Sequence, residues 1–391
     1  MNTGSILSVF ILSCLSCIMI IIYNLDARMQ VKQIKILLWM FFFGVLAFSF
    51  YFEPSTNFRW DLLEHYKQVD YFRGGDLFSL WADGGYASLP LVNLLFYVSS
   101  LFDGYWVIQV VPFFIDGVIL LWILFSQVKK QFHELQSIKV NIVLLTFFYW
   151  FSTVDYKLAL TGIRCVLSVA ICSLALYFEF EEKIRKRYVY LLLALGLSIH
   201  HFACAVLFIR FLVWINRPKY IIICLIAISM FGQFIIENFL VNIPYFGFVF
   251  DMIDYFSGGR YDLITYFQEQ GVSSIVIYIF KIILCVYLLY ITVVLKDKCE
   301  NLSSQENKMI MYVQYVSIFA ICMFFNYLFQ ERSMYIVAYA FAMIGPIYFY
   351  KIKTSAFENG FFLVVASCVL FMTDIYPLMV NYVGYWFLGR N

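Results

Sequence analysis

The pattern of hydrophobic and polar positions divides the chain into long apolar segments separated by short charged loops. A membrane-spanning helix needs about 20 predominantly apolar residues, and most of these segments approach that length. They are Ser5–Tyr23, Ile34–Phe52, Trp106–Val128, Val140–Ser152, Leu158–Phe178, Tyr220–Phe239, Ser274–Leu295, Met309–Leu328, Tyr335–Tyr350 and Phe361–Val380. Of two ambiguous stretches, Ser88–Leu101 is short and predicts a re-entrant or tilted helix. Tyr188–Trp214 is interrupted by His200-His201 and predicts a hairpin of two short arms.

Lysine and arginine in the short loops predict the orientation of the chain, because such residues favour the cytoplasmic side. The basic loops are Arg28–Lys35, Lys129–Lys139, Lys183–Arg187, Arg210–Lys219, Lys296–Lys308 and Lys351–Lys353. If all of them face the cytoplasm, the chain alternates across the membrane with both termini outside, provided that Ser88–Leu101 does not fully cross and that Tyr188–Trp214 goes up and comes back. A full crossing at Ser88–Leu101 would instead put Met1 in the cytoplasm. The opposite, periplasmic face then carries two long loops, at about 53–87 and 241–272.

These two outer loops mix aromatic and acidic residues, which fits short amphipathic helices lying on the membrane. We find no internal repeat and no linker, and we expect residues 1–391 to form a single integral membrane domain. The predicted fold class is an all-α polytopic membrane protein with about 10–13 transmembrane or re-entrant helices.

Composition supports this fold and narrows the function. Hydrophobic residues make up 63% of the 391 positions and charged residues only 13%, far from the balance of a soluble domain. The net charge of +2 gives no reason to expect a nucleic-acid partner. Because no zinc, phosphate-loop or dinucleotide motif is present, we expect no metal and no cofactor.

The rare polar groups within the apolar segments are the candidates for chemistry. Arg164 lies inside Leu158–Phe178, where a charge is costly unless it faces a cavity or a partner. His200-His201 lies at the outer end of an arm that rises from the basic turn after Arg164's helix. At 1.5 Å per residue, Arg164 and His200 should reach similar depths on adjacent antiparallel helices.

Further candidates fall on the same predicted face. We expect Glu331 and Arg332 in a very short turn between two spans, with Tyr335 continuing one helical face from Arg332. Arg260-Tyr261 adds a third cation from the second outer loop, and Asp61 and Asp70 supply acids from the first. Several arginines suit a diphosphate, which guanidinium grips bidentately. A histidine or a carboxylate beside them suits a base that deprotonates a hydroxyl.

Two segments carry a resemblance to a known family. The run from Leu158 through Arg164 to Ile171, and the run from Leu191 to His200-His201-Phe202-Ala203, resemble the EpsG-type and Wzy-type polysaccharide polymerases. In that family an arginine opens a helix, a basic turn follows, and the next apolar helix ends in histidine. The acidic first loop and Arg332 before a tyrosine-rich helix are similar too.

The resemblance implies an O-antigen polymerase of the bacterial inner membrane, similar in architecture to the C superfamily of glycosyltransferases. Such an enzyme transfers a glycan from undecaprenyl diphosphate to a lipid-linked repeat unit on the periplasmic face. Its partners would be the undecaprenyl-diphosphate-linked oligosaccharide, membrane lipids and a chain-length regulator. Arg164, Arg260 and Arg332 would hold the diphosphate, with Tyr261 and Tyr335 beside them. Activation of the acceptor would fall to one of several groups: His200, His201, Asp61, Asp70 or Glu331.

Other classes of function remain as alternatives. An O-antigen ligase performs the same chemistry on a different acceptor, and the sequence separates the two poorly. A flippase would need charges along a central pathway on both faces, whereas here they cluster on one. A sugar acyltransferase would need histidine and arginine near the first span, which has neither. A scaffold without enzymatic activity is the least favoured.

Overall fold

The structure, a computed structural model, describes residues 28–29, 61–75, 89–131, 138–139, 162–215, 272–323 and 327–352, with single positions among 33–46, 77 and 220–225. The helices are α1 (Asp61–Phe72), α2 (Pro90–Ser100), α3 (Trp106–Gln131), α4 (Ile163–Phe180), α5 (Lys186–Leu197), α6 (Ala203–Ile215), α7 (Val272–Lys298), α8 (Ser304–Cys322) and α9 (Tyr327–Lys351). The strands β1 (Arg28–Met29) and β2 (Ile138–Lys139) form one short antiparallel pair. That pair joins two of the predicted basic loops at one end of the molecule.

Among the residues that the structure describes, four helices are long and apolar enough to cross a membrane. They are α3, α4, the Tyr278–Lys298 part of α7 and the Phe329–Lys351 part of α9. The last of these is central, since 94% of its apolar window is buried inside the bundle. The prediction of an all-α polytopic membrane protein is confirmed.

Both ambiguous stretches form short helices. Tyr188–Trp214 is covered by the α5–α6 hairpin, whose arms of 12 and 13 residues turn at His200-His201, as predicted. The stretch Ser88–Leu101 contains α2, 11 residues that begin at a proline. At roughly 16 Å, α2 is too short to cross a hydrocarbon core of about 30 Å.

The predicted short turn at Glu331-Arg332 is wrong. Helix α9 begins at Tyr327 and continues without a break to Lys351, so both residues lie in its second turn. Three charged or amide side chains in succession, Gln330, Glu331 and Arg332, interrupt the apolar pattern. They stay helical because the surrounding bundle buries all three.

Helix α1 covers one end of the bundle. Its buried positions are Leu62, His65, Val69 and Phe72, at helical spacing, while Glu64, Lys67 and Asp70 are exposed. Val69 and Phe72 pack in one cluster with residues of α2, α3 and α4, including Ile163 of α4. The first outer loop therefore contains an amphipathic helix, and its apolar face rests on protein.

The opposite end of the bundle carries basic residues from several helices, and we call it the basic end. These residues are Lys130, Arg185, Lys186, Arg210, Lys308 and Lys351. Ion pairs tie these helices together there. Lys130 contacts Glu181 at 2.9 Å, and Lys351 of α9 contacts Glu306 of α8 at 3.1 Å. The clustering agrees with the loop alternation predicted from the sequence, and the cytoplasmic position of this end stays a prediction of the positive-inside rule.

Candidate active site

Helix α4, which carries Arg164 in its first turn, packs closely against α5. The Ser168 hydroxyl, one turn below Arg164, donates to the Gly196 carbonyl at 2.8 Å and to the His200 carbonyl at 3.4 Å. A Cβ atom on Gly196 would overlap the Cys172 sulfur, so a larger residue there requires Cys172 to move. These contacts fix the turn that carries His200 against the first turns of α4.

His200 lies in the tight turn between α5 and α6. Its Nδ1 accepts a hydrogen bond from the backbone N–H of Phe202 at 3.0 Å. A neutral imidazole that accepts at Nδ1 carries its proton on Nε2, so His200 is a donor on its other side. His200 is buried, whereas its neighbour His201 is half-buried.

Arg332 enters from the central helix α9. It is buried and lies close enough to His200 to interact with it electrostatically. The preceding residue, Glu331, makes an ion pair with Lys281 of α7, with both carboxylate oxygens 2.6 and 2.7 Å from Nζ. Both partners are buried, and the pair fixes the register of α9 against α7 beside Arg332.

His65 comes from α1 and faces the same region. Its side chain is only 1% exposed and packs on the Phe96 ring. The Nδ1 atom has no hydrogen-bond partner in the described part of the chain. Burial, and then the positive charge of Arg164, hold the pKa of His65 well below its ordinary value. His65 is therefore neutral at physiological pH.

The five residues His65, Arg164, His200, His201 and Arg332 form what we call the His–Arg cluster. Arg164 interacts electrostatically with all three histidines. His200 interacts in addition with Arg332 and His65. Arg164 and His200 lie near each other at one end of the bundle, and their matched depth in the membrane stays a prediction. The cluster lies at the end of the bundle away from the basic end.

The remaining predicted site residues lie elsewhere or cannot be placed. Asp70 is exposed and accepts hydrogen bonds from Arg73 at 2.8 Å and from Tyr105 at 2.7 Å, on the outer side of α1. Tyr335 is buried one turn after Arg332. Arg260, Tyr261 and the side chain of Asp61 lie outside the described residues. The roles given to Asp70, Glu331 and Tyr335 stay predictions.

Two functional candidates are absent from the sequence-based set of site residues. His65 occupies a core position in the Leu62, His65, Val69, Phe72 pattern, which identifies it as inward-facing once α1 is taken as a helix. Lys281 is a lone charge in an apolar run, which is itself a signal of function or pairing. In the described part of the chain, no group of three or more His, Cys, Asp or Glu side chains could hold a metal ion.

The fold and the His–Arg cluster together define a multi-pass helical membrane protein with cationic and imidazole groups gathered at one end. Comparison with protein-family models then identifies it: the EpsG family model matches residues 94–385, and the chain belongs to that family. The match includes Arg164, His200, His201 and Arg332 and begins after His65. Searches of curated proteins and of solved structures gave no match. Membership supports the general role of a membrane enzyme resembling a polysaccharide polymerase or glycosyltransferase.

Proposed function

We propose that this EpsG-family protein is an O-antigen polymerase of the bacterial inner membrane. It transfers a growing glycan from undecaprenyl diphosphate to a lipid-linked repeat unit on the periplasmic face. Family membership supports a polymerase-like enzyme, and the basic residues at the other end of the bundle favour a periplasmic position for the His–Arg cluster. The lipid-linked oligosaccharide is both donor and acceptor, and a separate protein that regulates chain length is a proposed partner.

The observation that carries the proposal is the position of Arg164 among three histidines, with Arg332 beside His200. Two guanidinium groups that both interact with His200 suit the oxygens of a diphosphate, which they can grip bidentately. A cationic site of this kind stabilises the negative charge that develops on a leaving diphosphate. Arg260 and Tyr261 of the second outer loop are proposed to join them once substrate is bound.

The histidines supply two proposed roles in the transfer. His200 donates a hydrogen bond from its Nε2–H to a diphosphate oxygen, because its Nδ1 is occupied by the Phe202 N–H. His65 or His201, both neutral when the pH is near 7, takes the proton of the acceptor hydroxyl. The acceptor oxygen bonds to the anomeric carbon, and the bond from that carbon to the diphosphate oxygen breaks. The electron pair of that bond leaves with undecaprenyl diphosphate. The imidazole of His65 or His201 keeps the proton from the acceptor hydroxyl.

Histidine is preferred over Asp70 and Glu331 as the base for a structural reason. Asp70 is exposed and bonded to Arg73 and Tyr105, while Glu331 is bonded through both oxygens to Lys281. A carboxylate in a tight buried ion pair is a weak base. If Glu331 took up a proton, the ion pair would be lost and Lys281 would remain as an unpaired buried charge.

Deletion of the gene tests the proposed function. Without the polymerase, lipopolysaccharide should carry single repeat units, because ligation continues while elongation stops. Persistence of long chains would contradict a polymerase. Loss of every repeat unit from the surface would indicate a flippase or a ligase instead.

A further inference from the structure

The basic end contains a cavity that plays no part in the proposed transfer. It has a volume of about 1000 Å³ and lies where the end of α4, the start of α5, the end of α6 and the start of α8 meet. In α4, this end is about 15 residues, or roughly 22 Å, from Arg164. The cavity is therefore separate from the His–Arg cluster and opens on the predicted cytoplasmic side.

The charge of the cavity is positive. Arg185, Lys186, Arg210 and Lys308 line it, against the two carboxylates Glu179 and Glu182. Arg210 and Glu179 neutralise each other through two hydrogen bonds of 2.7 and 2.8 Å. The side chains of Arg185, Lys186 and Lys308 make no ion pair or side-chain hydrogen bond among the described residues, so their charges face the cavity uncompensated except by Glu182.

The other wall of the cavity is aromatic and exposed. Trp214 is 82% exposed, and Tyr190 and Phe211 are about half exposed. Trp214 packs near Phe211 with ring centroids 6.2 Å apart. Exposed tryptophan and tyrosine at the end of a membrane bundle are typical of the membrane–water interface. The cavity thus combines phosphate-binding cations with a surface suited to acyl chains.

We propose that this cavity binds an anionic phospholipid of the cytoplasmic leaflet, with the headgroup phosphate between Lys186 and Lys308 and the acyl chains against Trp214. Basic pockets between transmembrane helices on the cytoplasmic side recognise lipid phosphates by this chemistry. A soluble phosphate would use the same lysines, but it would gain nothing from the exposed aromatic wall. The volume is of the size of small-molecule sites in proteins.

Native mass spectrometry of the purified full-length protein in non-ionic detergent tests the site. Binding of phosphatidylglycerol should exceed that of phosphatidylcholine. In the variant Lys186→Gln/Lys308→Gln, affinity for phosphatidylglycerol should fall roughly 25-fold, from the contribution of two cations at a membrane surface. Trp214→Ala should also weaken binding of the lipid.

The matched control is Lys129→Gln/Lys298→Gln, which removes two exposed lysines of the basic end that do not line the cavity. Its affinity should be unchanged, and equal losses in the two double variants would overturn the proposal. Equal binding of phosphatidylcholine would also overturn it. Displacement of the lipid by inorganic phosphate, with no effect of Trp214→Ala, would assign the site to a soluble phosphate. If the test variant does not fold, Arg185→Gln alone should weaken binding about fivefold, and no change would refute the site.

Discussion

The Nδ1 atom of His200 accepts a hydrogen bond from the backbone N–H of Phe202 at 3.0 Å. The bond lies within the turn itself, so the chain fixes the tautomer of the imidazole before any substrate arrives. Nε2 then carries the proton and points away from the Phe202 amide. His200 therefore donates a hydrogen bond from Nε2 and lies near two arginines. This arrangement favours a role in stabilising the leaving diphosphate.

Substitutions that mimic one imidazole nitrogen at a time test this role. Glutamine places its amide near Nε2 and keeps a donor there, whereas asparagine reaches only the position of Nδ1. We expect His200→Ala and His200→Asn to lower the elongation rate about 100-fold, as loss of a charge-stabilising donor does. His200→Gln should keep a larger part of the activity. The length distribution of lipopolysaccharide chains measures the effect, and a more active asparagine variant would contradict the tautomer.

Close packing at Gly196 predicts a rescue experiment. Gly196→Ala places a methyl group against the Cys172 sulfur, and overpacking of this kind costs about 1–3 kcal/mol. Because the same turn carries His200, elongation should fall as well. Adding Cys172→Ala removes the sulfur and should restore both thermal stability and activity. Cys172→Ala alone is the control, and failure of the double variant to recover would show that the contact does not position the turn.

The buried pair Lys281–Glu331 predicts strong coupling in stability. Removing one partner leaves an uncompensated buried charge, which costs about 3–5 kcal/mol, while removing both partners costs much less. Lys281→Met and Glu331→Met should each lower the thermal midpoint in detergent more than the combination does. Tryptophan fluorescence on heating measures the midpoints. Additive effects of the two substitutions would show that the pair does not act as a unit.

The lowered pKa of His65 predicts a pH dependence of stability. Below about pH 6.5 the unfolded chain binds a proton at this residue that the folded protein binds only at lower pH. The contribution of neutral His65 is thus fully present above pH 6.5 and is lost as the pH falls towards the folded pKa. Replacing His65 with glutamine should reduce the loss of thermal stability between pH 7.5 and 5.5. An unchanged pH profile would argue against a buried neutral imidazole.

The membrane fold was predictable because hydrophobic run length is a strong local signal. The α5–α6 hairpin followed from the single interruption at His200-His201, and the proximity of Arg164 followed from the rise per residue. Helix α9 was not predicted in full, because burial in the bundle overrides the polar stretch Gln330-Glu331-Arg332. A local pattern cannot show that a neighbouring helix supplies Lys281.

The site was predictable only in part for a related reason. Arg164, His200 and Arg332 stand out as charges or imidazoles in apolar surroundings. His65 lies among ordinary loop acids in the sequence, and only the docking of α1 onto α2 and α4 turns it towards Arg164. Asp70, five residues later on α1, faces outward for the same geometric reason.

Arg164 is proposed to support transfer from a lipid diphosphate, and purified protein with undecaprenyl-diphosphate-linked repeat units tests this role most directly. Wild-type protein should lengthen the glycan and release undecaprenyl diphosphate in step with each new linkage. Arg164→Lys keeps the charge but loses the bidentate grip, and we expect its rate to fall about 100-fold with normal membrane insertion. Chain elongation at the wild-type rate in Arg164→Lys, or no elongation by the wild-type protein, would contradict the account.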